Sequence, residues 1–201
     1  MTVAAYGDRA LRCTVDGLAD AHALCDALLR AALPGVVAVV PAWRSVVVTL
    51  AAPEHQEAAH ALAASIDIGA TSRRTPRMHE LAIRYDGPDL HEVAMQAGVS
   101  VDEAVRRHAA GDYVVAFLGF APGFPYLSGL DPRLATARHA TPRQAVGAGA
   151  VGIADDITGI YPADSPGGWQ IVGHVTATLF DVRRDPPALL APGDRVRFVP
   201  T

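Results

Sequence analysis

Residues 113–182 read YVVAFLGFAPGFPYLSGLDPRLATARHATPRQAVGAGAVGIADDITGIYPADSPGGWQIVGHVTATLFDV, and this stretch decides the fold. Short β-type runs (YVVAFLGF, AVGAGAVGI, IVGHVTATLFDV) are separated by turns, and RVRFVP follows at 195–200. Ten of the chain's 18 glycines lie between Gly119 and Gly173. Turns at that frequency between short apolar strands favour a compact β-barrel over a layered α/β sheet.

Upstream, two short helices carry readable caps. Asp89 and Glu92 form one expected capping box with Gly98 ending that helix; Ser100 and Glu103 form a second, with Gly111 ending the next. Further upstream the pattern changes. Leu11 to Val15 reads as a strand, Leu18 to Ala32 as a helix, Val36 to Val40 and Ser45 to Leu50 as a strand pair, Glu54 to Ser65 as a helix and His79 to Tyr85 as a strand. The order βαββαβ is that of a ferredoxin-like α/β sandwich. Composition divides the same way: residues 1–85 hold eight Arg against eight acids, residues 86–201 nine against thirteen, with all five Phe. The expectation is an α+β protein of two domains, 1–85 and 86–201, with the boundary near Tyr85 to Pro88. Nothing in the first half looks catalytic, and His22, His55 and His60 are expected on solvated helix faces.

The 201 residues are half apolar and carry a net charge of −4, the balance of a globular protein with no electrostatic invitation to nucleic acid. All 17 basic residues are Arg; there is neither Lys nor Asn. Without Lys there is no Schiff-base or pyridoxal-phosphate chemistry, no ordinary phosphate-loop ATPase, no kinase lysine and no Ser-Lys hydrolase. Cys13 and Cys25 lack any metal-ligand spacing and are expected as buried thiols of a reducing cytosol. The opening MTVAAYGDRA has no basic and apolar leader pattern, and no apolar run reaches 18 residues. A soluble, cytoplasmic protein without a membrane role is the expectation.

Three patterns lose their functional reading on inspection. The segment DLHEVAMQAGVSVDEAVRRHAA (89–110) resembles a helix-turn-helix, but its second helix opens on Asp102 and Glu103, where DNA phosphate would lie. GAGAVG (147–152) satisfies the dinucleotide-binding fingerprint, yet IADDITGIYP follows where the pyrophosphate would need a helix N-terminus. Neither Ser128 nor Ser165 stands in Gly-x-Ser-x-Gly, so a serine hydrolase is not indicated.

The Gly-, Pro- and aromatic-rich region between Phe117 and Asp181 is built for rigidity, which suits a small-ligand pocket. Arg143 is a natural partner for a carboxylate, Tyr161 and Trp169 are amphipathic walls, and His108 is the nearest upstream proton carrier. Residue types alone leave a second reading open, in which Arg143 pairs with a neighbouring Asp inside a packed barrel.

The strings FLGFAPGFPYLSGLDPRLAT, TPRQ, GAVGIA, TGIYPADSPGGWQIVG, LFD and PGDRVRFVP, with YDGPDL, HAAGDYVV and PAWRSVVV upstream, closely resemble the family described as allophanate hydrolase subunit 1, as KipI, or as PxpB, the B-type subunit of bacterial ATP-dependent 5-oxoprolinase. The resemblance spans essentially the whole chain. It implies an N-terminal α+β domain and a C-terminal cyclophilin-like β-barrel. It also implies a subunit 2 or C-type partner (KipA/PxpC-like), an A-type protein (LamB/YcsF-like), a small cyclic amide as substrate, and ATP with Mg at the level of the complex. No metal is expected on this chain. Under this resemblance Arg143 is expected to hold the substrate carboxylate and His108 to move a proton. Phe120, Tyr161, Ser165, Trp169 and His174 are expected to contact the substrate. The chain departs from the family pattern at Ala137, Gly147, Ala150, Asp155 and His174, the last replacing an Arg whose charge does not depend on pH near neutrality. A second role implied by the resemblance is inhibition of a sensor histidine kinase, with the barrel docked on its dimerisation helices.

Overall fold

A computed structural model describes residues 1–71 and 74–201. The described chain forms two compact units, Met1–Thr75 and Pro76–Thr201.

In the first unit β1 (Thr2–Ala5), β2 (Ala10–Thr14), β3 (Val36–Pro41) and β4 (Ser45–Leu50) form an antiparallel sheet in the order β1-β2-β4-β3. Alternation along β2 and β4 turns Leu11, Cys13, Val46, Val48 and Leu50 to one face. There they pack with Leu24 and Leu28 of helix α1 (Leu18–Ala31) and Ala59 and Ala63 of helix α2 (Gln56–Ser65). Cys13 and Cys25 are free thiols in this core, and burial pushes the Cys25 thiol up to about 11.

One expectation is corrected here. The segment read as the closing strand of a βαββαβ order is β5 (Met78–Arg84), and it belongs to the second unit. The sheet position beside β2 is taken by β1 from the N-terminal side, so the first unit runs ββαββα. With only Val3 partly buried, β1 carries no alternation that would mark it as a strand. The boundary accordingly lies at Thr75/Pro76, ahead of the Tyr85–Pro88 segment. The cause is long-range pairing: β5 lies parallel to β13 (Arg195–Pro200), in register from Met78 with Arg195 to Ile83 with Pro200. Buried Asp194 fastens the start of this pair, accepting from Arg77 N and Ala191 N at 3.0 Å each, with His79 Nε2 at 3.2 Å.

The second unit continues with α3 (Leu90–Gln96), α4 (Val101–Ala109), β6 (Tyr113–Leu118), β7 (Pro125–Ser128), β8 (Arg143–Val146), β9 (Ala150–Ala154), β10 (Ile157–Ile160), β11 (Ser165–Gly167) and β12 (Gln170–Val175). Seven strands close into a barrel in the order β10-β7-β6-β13-β5-β12-β9, and β8 pairs with β11 in a separate two-stranded ribbon. Ile83, Val115, Leu127, Ile153, Ile160, Val172 and Phe198 are among the residues of its core, with Leu90, Val93 and Ala104 from the two helices.

The α3–α4 pair forms the expected hairpin through Gly98, and Ser100 Oγ accepts from Glu103 N at 3.2 Å. On α4, Arg106 and Arg107 ion-pair with Glu103, and Arg107 also with Asp131, so the cations of the helix-turn-helix lookalike are already neutralised. The expected Asp89 cap is absent: its side chain makes no capping bond and is engaged elsewhere. The stretch 147–152 is a turn running into β9 rather than a loop before a helix; Gly149 has φ +83°, and a Cβ there would strike Val175 O.

Among the described residues, no helix is long and apolar enough to cross a membrane.

Candidate functional site

A cavity of about 290 Å³ in the second unit is lined by Phe120, Phe124, Tyr126, Arg138, Pro142, Tyr161, Pro166, Gly167, Gly168 and Trp169. Its volume is at the lower end of small-molecule sites, which span roughly 300–1,000 Å³. The walls are a set of interlocked rings. Phe124 meets Tyr161, Trp169 and Phe120 edge to face at centroid distances of 5.1, 5.4 and 5.4 Å, and Tyr126 meets Trp169 at 5.7 Å. Each such pair adds about 0.5–1.5 kcal/mol to the burial itself, so the walls are stiff.

Two glycines make the arrangement possible. A Cβ on Gly167 would overlap Tyr161 Oη, and one on Gly159 would come within 2.7 Å of the Trp169 ring and 2.9 Å of Phe124. Phe120, by contrast, sits at φ +66° in the loop joining β6 to β7 and is 66 % exposed. A large side chain in the left-handed region stores strain of order 1 kcal/mol or more, a pattern that concentrates at ligand sites.

Behind the rings lies a buried charge clamp. Asp89 Oδ1 accepts from Arg143 Nη2 at 2.6 Å, and Asp89 Oδ2 from Ile171 N at 2.6 Å. Arg143 Nη1 donates to Trp169 O at 3.3 Å, and His139 Nε2 lies 3.3 Å from Asp89 Oδ1. His139 N donates to Gly168 O at 2.7 Å, and Gln170 Nε2 to Ala137 O at 3.0 Å. These bonds fasten the 137–143 segment against the start of β12 and thereby fix Arg138, Pro142, Gly168 and Trp169 relative to one another.

Of the residues expected at the site, Phe120, Tyr161 and Trp169 line the cavity together. Arg143 is adjacent to it but is spent on Asp89, the alternative that residue types had left open. Ser165 lies on β11 and is not part of the lining. His174 lies on β12, with Nδ1 2.8 Å from Asp86 Oδ1 at an exposed cluster that includes Arg84, outside the cavity.

His108 is not brought to the cavity either. It is 2 % exposed in the barrel core, with Nδ1 2.8 Å from Tyr85 Oη, Nε2 3.3 Å from Thr158 Oγ1, and its ring 5.0 Å from that of Phe198. Burial pushes its pKa down to about 3, so the imidazole is neutral and shielded, unsuited to exchanging protons with a ligand. The signal was present in the sequence: Val101, Ala104, Val105 and His108 share one face of α4 at helical spacing.

The residue that sequence reasoning missed is Arg138. It lines the cavity, its side chain is exposed, and it has no ion-pair or hydrogen-bond partner among the described residues. Burial raises the phenols of Tyr126 and Tyr161; the Arg138 charge opposes the rise at Tyr126, whereas at Tyr161 a backbone hydrogen bond with Trp169 opposes it first and the charges of Arg143 and Arg138 add less. Both hydroxyls are therefore neutral donors beside an unpaired cation.

The chain belongs to the family described as "Carboxyltransferase domain, subdomain C and D", which it matches over residues 1–190. It is 44 % identical over 173 residues to the 5-oxoprolinase B subunit of Escherichia coli O157:H7, covering 84 % of this chain and 79 % of that one. It is 47 % identical over 126 residues to the 5-oxoprolinase B subunit of Bacillus subtilis, covering 61 % and 52 %. Among solved structures, TTHA0988 superposes with a TM-score of 0.83 at 37 % identity, over 96 % of this chain and 40 % of that one. The chain thus spans about half of the Bacillus relative and two-fifths of TTHA0988.

Proposed function

We propose that this chain is the B-type component of an ATP-dependent 5-oxoprolinase-type complex that opens a small cyclic amide. The observation that carries the reading is the 44 % identity to a 5-oxoprolinase B subunit across 84 % of the chain. The cavity supports it: rigid aromatic walls, two phenolic donors and one free guanidinium suit a flat, polar ring of about ten heavy atoms better than a nucleotide or a peptide.

In this reading the chain binds and orients while the chemistry is shared. Tyr161, Trp169, Phe124 and Phe120 hold the ring and keep water from its faces, and the Asp89–Arg143 clamp keeps the Trp169 wall in place. ATP, with its Mg²⁺, is used by the assembled complex together with a C-type partner and an A-type protein. One water would add across the lactam carbon–nitrogen bond to open the ring to glutamate, and a second would take the γ-phosphoryl group of ATP, leaving ADP and phosphate. The chain alone is expected to be inactive.

The test is reconstitution. Mixed with partner proteins of the A and C types, ATP and 5-oxoproline, this chain should support glutamate release that is lost when any one protein is omitted. Glutamate release at the same rate without this chain, or none with the full mixture, contradicts the proposal.

A further inference from the structure

We infer that Arg138, rather than Arg143, is the group that recognises the substrate, and that the cavity selects small, flat ligands bearing a single carboxylate. The inference deepens the function proposed above and rests on it for the identity of the ligand.

Two arginines stand beside the cavity, and their environments divide the work between them. Arg143 has its fork engaged by Asp89 and by Trp169 O; to take a ligand anion it would have to leave a carboxylate that is only 8 % exposed without its partner. Uncovering a buried charge is strongly unfavourable, so Arg143 stays where it is. Arg138 has nothing to give up. It carries the only formal charge among the lining residues and has no partner among the described residues. The same clamp that occupies Arg143 holds the 137–143 segment in place, through His139 N to Gly168 O and Gln170 Nε2 to Ala137 O. A free guanidinium is thus presented from an ordered segment.

The ligand class follows from what surrounds Arg138. A guanidinium pairs two N–H groups with the two oxygens of a carboxylate, in one plane and with matched charge. A phosphate would call for further cations or converging backbone N–H groups, and the lining supplies no second cation. The phenols of Tyr126 and Tyr161 offer neutral hydroxyls that can donate to an amide carbonyl. The cavity of about 290 Å³, walled on one side by the rings, has space for a five- or six-membered ring and its carboxylate. Phe120, exposed and held at φ +66°, stands at the edge of the cavity where it can cover such a ring.

Calorimetric titration of the full chain with 5-oxoproline, and with 2-pyrrolidinone as the same ring lacking the carboxylate, tests this directly. The wild-type chain should bind 5-oxoproline at least tenfold more tightly than 2-pyrrolidinone. Arg138→Gln should erase that preference by weakening 5-oxoproline about ten- to a hundredfold while leaving 2-pyrrolidinone unchanged. Arg138→Lys should recover only part of it, because the fork is lost and the charge kept. The melting temperature of Arg138→Gln should match wild type, whereas Arg143→Gln should melt lower. A carboxylate preference that survives Arg138→Gln, or a wild-type chain that binds neither probe at millimolar concentration, overturns the inference. The two readings fail separately. Arg138-dependent binding by a chain whose complex releases no glutamate leaves the pocket standing and removes the proposed function. Glutamate release with an unchanged KM in the Arg138→Gln complex does the reverse.

Discussion

His108 shows how burial reverses the meaning of a residue type. Read along the chain it is a proton carrier near neutrality; enclosed by Tyr85, Thr158, Tyr113 and Phe198 it is a neutral spacer that completes the barrel core. Its folded pKa is lowered from 6.5 to about 3, so the unfolded chain binds the extra proton first as pH falls. The contribution to stability is whole above about pH 6.5 and is lost progressively down to about pH 3, on the order of 1 kcal/mol per pH unit inside that window. Urea unfolding at pH 7 and pH 4.5 should show this loss, and His108→Gln, which cannot titrate, should lower stability at pH 7 and flatten the slope. An unchanged slope in the variant would assign the acid sensitivity to other groups.

At the level of elements, the Asp89–Arg143 pair joins three pieces of chain: the start of α3 at Asp89, β8 at Arg143 and β12 through Ile171 N. Removing either partner leaves the other charged and poorly solvated, with losses of about 3–5 kcal/mol for fully buried pairs and less here because Arg143 is 31 % exposed. Arg143→Gln and Asp89→Asn should each lower stability by about 2–3 kcal/mol, and the double variant by clearly less than their sum, as measured by chemical denaturation. Full additivity would mean that the pair is not coupled. The same elements mark how far sequence reading reached. The α3–α4 hairpin and the turn-rich barrel strands were legible, because caps and apolar periodicity are local signals. The alternation of Leu81 and Ile83 identified β5 as a strand, but nothing local says that it pairs with β13 more than a hundred residues on. Asp89 reads as a helix cap for the same reason, since its partners Arg143 and Ile171 are distant in sequence. Arg138 went unnoticed because its place beside Tyr126 and Tyr161 is set by long-range bonds from Gly168 and Gln170.

At the scale of the whole molecule, the proposal to test is that the second unit, which carries the aromatic cavity, receives the cyclic amide of a 5-oxoprolinase-type complex. Gly168 allows a clean test, since it lines the cavity, has no positive φ, and a Cβ there meets nothing nearer than His139 O at 3.5 Å. Gly168→Leu should therefore fold, and its side chain should narrow the cavity. The decisive measurement is ATP hydrolysis by the assembled complex, with and without 5-oxoproline, using the wild-type and Gly168→Leu chains. The account predicts hydrolysis that depends on 5-oxoproline with the wild-type chain and is lost or reduced at least tenfold with Gly168→Leu, at equal thermal stability. Equal 5-oxoproline-dependent hydrolysis by both, or hydrolysis by the wild-type complex that does not respond to 5-oxoproline, would contradict it.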